Sequence, residues 1–169
     1  MRLDSQQIPD GWRICRFGDI TRIANGMIDP SSDGFQHMLH VGPENIESDS
    51  GRVVATRTAE EIGLVSGKYL FDEHAILYSK IRPNLNKVCV PGFKGLCSAD
   101  MYPIWTDQDV VDAQFLCFAM TSQLFLAQAI PMSMRTGMPK INRSDLNGIK
   151  VLVPSVIEQR QIVSILSTC

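Results

Sequence analysis

The chain has 169 residues, 44% hydrophobic and 20% charged, with a formal net charge of −2. This describes one compact soluble domain that can bury a core without staples, and it argues against promiscuous nucleic-acid binding. No apolar run approaches the roughly 20 residues that a membrane-spanning helix needs, and the opening MRLDSQQIPDGW has no apolar leader core. The five cysteines, Cys15, Cys89, Cys97, Cys117 and Cys169, are scattered without a CxxC pair, so neither a zinc site nor a disulfide framework is suggested and reduced thiols in the cytoplasm are expected.

In chain order, Ile8–Trp12 reads as a turn leading to an anchoring tryptophan. Arg13–Phe17 alternates like a short strand, Phe17–Ile20 suits one helical turn, and Thr21–Ala24 a further strand. Asn25–Gly34 is loop by composition, with Asn-Gly, Asp-Pro, Ser-Ser and Asp-Gly in ten residues. Phe35–Val41 and Arg52–Ala55 read as strands, and Thr58–Gly63 as a helical turn ended by glycine. Lys68–Phe71 and Ala75–Lys80, around a turn at Asp72-Glu73, suit a strand pair, and Asn86–Pro91 and Leu96–Trp105 continue the run.

Asp112 can cap a helical segment Ala113–Ala129, which Ser122 divides and Pro131 ends. The stretch 132–140 is irregular, Asn142–Leu146 is a turn or half-turn, and Ile149–Val153 a last strand. Ser155 with Glu158 three later forms a capping box, followed by Ile162, Ile165, Leu166 and Cys169 at helical spacing. That pattern predicts the first turns of a longer helix. The fold class expected is α+β: a twisted, mostly antiparallel multi-stranded sheet with a few helices on one side.

Two windows stand out by charge. Between His74 and Ala99 there is no acid, but Lys80, Arg82, Lys87 and Lys94 are present; between Ala113 and Ser144 acids are again absent, with Arg135, Lys140 and Arg143 present. In the first, ILYSKIRPNLNKV leaves an apolar strand, turns at Pro83 in a stiff extended bend and returns through Lys87–Val90. Ser79, Lys80, Arg82, Asn84, Asn86 and Lys87 there suit a polyanion, though a solvated turn has the same composition. In the second, RTGMPKINR, Gly137 permits close backbone approach while Thr136, Lys140, Asn142 and Arg143 offer donors to phosphate or base edges. Two acid-free windows together favour a specific nucleic-acid face on a mildly acidic protein.

Enzyme signatures are missing. There is no GxGxxG, P-loop, GxSxG elbow or Asn-Pro-Pro-Tyr-type motif. His37, His40 and His74 include no HExxH or HxH pair; His37 and His40, on a strand-like segment, would point to opposite faces. The adjacent Glu60-Glu61 sits on a solvated turn.

Several blocks in order resemble a known family. IPDGWRICRFGDI is similar to that family's Leu-Pro-x-Gly-Trp and Leu-Gly-Asp-Ile start. NIESDSGRV, ILYSKIRPNLNKV, GLCSADMYPI and TGMPKINRSDL resemble its internal blocks, and VLVPSVIEQRQIVSIL its last strand and spacer helix. The family is the target-recognition domain of the DNA specificity subunit of type I restriction-modification systems.

The resemblance implies a non-catalytic reader of half of a split double-stranded DNA site. It would direct a partner adenine methyltransferase, which draws methyl from S-adenosylmethionine, and a restriction subunit. No cofactor of its own is implied. Residues 1–153 would form the recognition domain and 154–169 the start of the spacer helix. Members of the family usually carry two such domains, separated by long helices that pair; this sequence holds one. Lys80, Arg82, Lys87, Lys140 and Arg143 are the expected phosphate clamp, with Ser79, Asn84, Arg135, Thr136, Gly137 and Asn142 beside them. Base readers vary between specificities, and Asn25, His37, Asn45, Arg57 and Arg135 are candidates. Ile162, Ile165 and Leu166 are expected to meet the methyltransferase subunit, or a second recognition domain or copy, so that deletion after Pro154 removes partner capture and spares the fold. Rival readings are a recognition domain from a single-chain restriction-methylation enzyme, a protein-interaction module without DNA binding, and a small hydrolase.

Overall fold

Strand β6 (Ile76–Ser79) is buried on both faces, which is why its sequence is a continuous apolar run rather than an alternation. Ile76 and Tyr78 point into one hydrophobic cluster and Leu77 into another. The molecule is built outward from this strand. The computed structural model describes residues 8–135 and 137–169; the expectations for the first seven residues and for Thr136 lie outside the described residues.

β6 lies in an antiparallel four-stranded sheet with β2 (Thr21–Ile23), β9 (Met101–Thr106) and β7 (Val88–Cys89), in the order β2-β9-β6-β7. Its register opposes Tyr78 to Tyr102 on one side and to Val88 on the other. Against one face pack β3 (Leu39–Val41), β4 (Arg57–Thr58), β5 (Tyr69–Phe71) and β8 (Gly95–Cys97), a second sheet of order β4-β3-β8-β5 in which only β3–β8 is parallel. Val41, Phe71, Cys97, Leu77 and Met101 fill the space between the sheets.

Against the other face lie α1 (Phe17–Ile20), α3 (Ala113–Thr121), α4 (Gln123–Ser133) and α5 (Arg143–Gly148), with Phe17, Leu116, Met120, Phe125, Ile141 and Leu146 in the core. Fully burying each such side chain contributes roughly 1.5–3 kcal/mol. A small ladder of β1 (Arg13–Arg16) with β10 (Lys150–Val153) closes the chain's two ends on each other.

The α+β class and its mostly antiparallel pairing stand, but the strands divide into separate sheets, and several local expectations change. Lys68–Phe71 and Ala75–Lys80 do not pair: β5 joins β8 and β6 joins β9. The Asp72 carboxylate accepts His74 N–H and Trp105 Nε1–H where the chain passes between the sheets. Phe35–Met38 is a series of turns, and only Leu39–Val41 is strand. His37 is therefore a solvent-facing turn residue, while His40 is buried. Arg52–Ala55 makes only the single bridge Ile46–Val53.

α2 (Ala59–Ile62) ends at a left-handed Gly63 (φ 71°) as expected, and Thr58 caps its start. Ser122 does divide the helical segment, capping α4 and leaving the two helices bent by 66°. Pro131 lies within α4 rather than ending it. Both Pro131 and Ala127, whose carbonyl loses its donor, are on the exposed face, so water can satisfy that group. Asn142–Leu146 is a full helix, α5, running to Gly148.

α6 (Val156–Leu166) is capped by Ser155, which accepts Glu158 N–H at 3.3 Å. The other half of the expected box goes elsewhere: the Glu158 carboxylate accepts the Trp12 indole N–H at 3.0 Å. Gln159 is wholly buried, accepting Asp112 N–H and donating to the Val110 and Pro154 carbonyls. The first turns of α6 are thus tied into the domain, so deletion after Pro154 would strip bonds from α3 and from Trp12; the expectation that it spares the fold is corrected. Among the described residues no single helix is long and apolar enough to cross a membrane.

Candidate nucleic-acid interface

The two cationic windows meet. Beyond β6 the chain continues extended through Ile81, which bridges antiparallel to Lys140. Ile141 N–H donates to the Lys80 carbonyl at 2.9 Å and Arg82 N–H to the Pro139 carbonyl at 2.8 Å. On its other side Lys80 N–H donates to the Asp100 carbonyl at 3.0 Å. Lys80 therefore lies between the turn at Asp100, which leads into β9, and the segment Lys140–Ile141.

The bend is not extended as expected. It is a 3-10 turn at Pro83–Leu85 between two left-handed residues, Arg82 (φ 48°) and Asn86 (φ 52°). Non-glycine residues there cost of order 1–3 kcal/mol each and persist only when the surroundings hold them. Here Arg82 is held by Pro139. Asn86 is held by its side-chain amide, which donates to the Asp49 carboxylate at 2.9 Å and the Thr121 carbonyl at 3.3 Å.

The cations differ in placement. Lys80 is buried, its Nζ 4.9 Å from the centre of the Tyr102 ring. Arg143, at the start of α5, lies 4.9 Å from the same ring and donates from Nη2 to the Tyr69 hydroxyl at 3.1 Å. Burial first, then repulsion from Lys140, holds the Lys80 amine below the usual lysine range, with Asp100 pulling the other way and Arg143 adding to the depression. Arg82, Asn84 and Lys140 are exposed. Lys87 is half-buried, donating to the Pro43 carbonyl at 2.7 Å. Ser79 is buried and its hydroxyl donates to the Ile81 carbonyl, so it shapes the bend from behind.

In the second window Arg135 and Asn142 both turn to Asp145. Arg135 Nη1 lies 3.2 Å from that carboxylate and Asn142 Nδ2 3.0 Å, while Asn142 Oδ1 caps α5. Gly137 is exposed.

The candidate base readers are dispersed. Asn25 is exposed just past β2, and His37 sits in the turns before β3 with Nδ1 3.3 Å from Glu60. Arg57 is on β4 at the edge of the second sheet. Asn45 is engaged internally, accepting Gly42 N–H and donating to the Val54 and Ala55 carbonyls. Ile162 packs on the domain's own core beside Phe118 and Trp12, whereas Ile165 and Leu166 are exposed.

Sequence reasoning missed Tyr69, Tyr102 and Asp100. Tyr102 and Asp100 stand in the block GLCSADMYPI, and the register of β9 against β6 brings them beside Tyr78 and Lys80. A buried aromatic ring bearing two cations fixes their positions without a carboxylate partner, leaving positive charge available to an anion. Among the described residues no group of three or more His, Cys, Asp or Glu side chains could hold a metal ion.

Comparison with known proteins agrees with this architecture. A family model described as the type I restriction modification DNA specificity domain matches residues 9–169. The specificity subunit of the type I restriction enzyme EcoDI from Escherichia coli is 39% identical over 156 residues, covering 92% of this chain and 34% of that subunit. The MjaVIII specificity subunit from Methanocaldococcus jannaschii is 24% identical over 167 residues, covering 95% and 36%. The chain thus spans about a third of the curated relatives' length. Among solved structures, the HsdS subunit from Thermoanaerobacter tengcongensis superposes with a TM-score of 0.81 at 21% identity, over 95% of this chain and 42% of its own. The type I S subunit from M. genitalium gives 0.62 at 17%, over 99% and 40%. At those identities the superpositions establish a shared fold.

Proposed function

The chain belongs to the type I restriction-modification DNA specificity family, whose domain recognises DNA and is not catalytic, and from that premise we propose that it reads one half of a split double-stranded site and presents the duplex to a partner adenine methyltransferase and restriction subunit. The observation that carries the proposal is the pairing of Lys80–Arg82 with Pro139–Ile141. It joins two acid-free basic windows into one ridge through residues 57 to 61 positions apart in sequence.

In this account Arg82, Lys140 and Arg143 hold phosphates and set the register of the duplex, and Lys87 contributes from the rim. Lys80 adds charge from below, through Tyr102. Asn84, Thr136 and Gly137 supply neutral donors and close backbone approach. Arg135 and Asn142 keep the loop shaped through Asp145. The recognition domain of residues 1–153 is completed by the first turns of α6, which pack on it through Gln159 and Glu158. The exposed Ile165 and Leu166, with Ile162 as their anchored base, meet the methyltransferase subunit or a second recognition domain.

Fluorescence anisotropy with duplexes of unrelated sequence tests the ridge. Lys80→Ala and Arg82→Ala are expected to weaken every duplex by a similar factor and to flatten the dependence on salt. Unchanged affinity in both variants at moderate salt contradicts the proposal. Ile165→Asp with Leu166→Asp is expected to abolish capture of the methyltransferase subunit, since both side chains are exposed, with an unchanged thermal midpoint showing that the apolar cavity Leu166 lines is intact. Retained capture would place that interface elsewhere.

A further inference from the structure

A cavity of about 320 Å³ opens beside the bend, between it and the turn at Pro43–Asn45, and its wall carries Glu44, Ser98 and Asp100 as well as Arg82 and Lys87. Both carboxylates are exposed, and among the described residues neither has a cation within 4.0 Å. The turn at Asp100 accepts Lys80 N–H through its carbonyl, and Lys80 in turn pairs with Lys140–Ile141 on its other side. Among the described residues the cationic ridge therefore contains two acids at its edge that make no close ion pair, Asp100 acting on Lys80 only from beyond that distance.

On a surface that tracks a duplex, such acids are repelled by every phosphate. The groups on DNA that attract a carboxylate are the exocyclic amino groups of cytosine (N4) and adenine (N6) on the major-groove edge. Adenine places the N7 acceptor beside its amino group, and a carboxylate has no proton to give it. Cytosine presents only the donor. An acid at this point is therefore favourable where a cytosine edge faces it and unfavourable where backbone does.

Resting on the DNA-binding reading above, we propose that Glu44 and Asp100 are specificity-determining residues that accept from the N4 amino group of a cytosine in the major groove, with Arg82 and Lys87 on the cavity wall holding the flanking backbone. Neither acid was among the base readers expected from sequence, because a carboxylate in a DNA-binding region reads as a defect in the charge pattern until its place beside the ridge is known.

Selection from a randomised duplex pool at low salt, with the 169-residue chain and its Glu44→Gln/Asp100→Asn variant, tests the proposal. The wild-type word is expected to contain a G·C position at which the variant loses about ten- to hundredfold of its preference. The other positions keep theirs, and affinity for arbitrary duplex holds or rises as two repelling charges disappear. Matched thermal midpoints show that both proteins fold. A variant that selects the same word with the same strength overturns the proposal and leaves the DNA-binding reading standing. Loss confined to an A·T position overturns the cytosine assignment. A folded wild-type chain that binds no duplex at all overturns the DNA-binding reading, and this inference with it.

Discussion

The two segments that form the ridge are held in different ways. The bend at 82–86 is fixed from inside: its left-handed Asn86 is tied to Asp49 and Thr121, and Pro83 is buried under it. The loop at 135–141 is held at its margins, with Arg135 on the Asp145 carboxylate. Met134, Arg135, Gly137, Met138 and Lys140 are exposed, and the loop is positioned by Ile141 in the core and by main-chain bonds to Lys80, Arg82 and Ser133. One segment is a template and the other is laid on it. Damage to the template should move both, whereas damage to the loop should stay local.

The largest effect should come from the template. Asn86→Ala removes two partly buried bonds and the side chain that, glycine aside, best tolerates φ 52°, and is expected to cost about 2–4 kcal/mol in denaturant unfolding. Asn86→Gly should recover only the strain. If both variants unfold like the wild type, the bend is not held from inside. Next is Lys80→Met, for which DNA affinity should fall about tenfold through the lost charge while stability stays within about 1 kcal/mol or rises.

The pH dependence of that pair has a definite sign. Lys80 is held below its unfolded pKa, so at neutral pH its charged form costs the folded state free energy. That cost is relieved as pH climbs through the folded value toward about 10.5. Wild-type stability relative to Lys80→Met should therefore improve over that alkaline window, and a fixed difference from pH 7 to 10.5 argues against a buried cation.

Lys140→Ala, on the exposed loop, should cost only a few-fold in DNA affinity, lower the salt slope by about 0.9 and leave stability within about 0.5 kcal/mol. Smaller again is an effect away from the ridge. His40 is buried with its Nε2 unbonded to protein among the described residues, and desolvation, aided by Lys68 and opposed by Glu44, lowers its pKa. A depressed histidine contributes stability above about pH 6.5 that is lost as pH falls toward the folded value. His40→Phe should remove that part of the acid loss and add about 1 kcal/mol at pH 7. Identical acid limbs for the two proteins would exclude His40 as its source.

Local signals were legible where chemistry acts over a few residues. The caps at Asp112 and Ser155, the break at Ser122, the glycine stop at Gly63 and most strand positions follow from the chain itself. Pairing over long distances was not. Nothing in Tyr69–Phe71 and Ile76–Ser79 says that the chain changes sheets at Asp72, since both partners lie elsewhere in sequence. The same limit governs the ridge. Its two basic windows stand out as acid-free runs, but the ring of Tyr102 that seats Lys80 and Arg143 depends on the register of β9 against β6. Arg135 and Asn142 looked like free donors because Asp145, just beyond the window, is brought back to them by one turn of α5.

The salt dependence of duplex binding by wild type, Arg82→Ala, Lys140→Ala and the double variant bears most directly on whether the two segments act as one surface. If both touch phosphates of the same duplex, each single change lowers the slope of log K against log salt by about 0.9 and the double by about 1.8. A slope that either single change leaves untouched would show that one of the two segments faces away from the DNA.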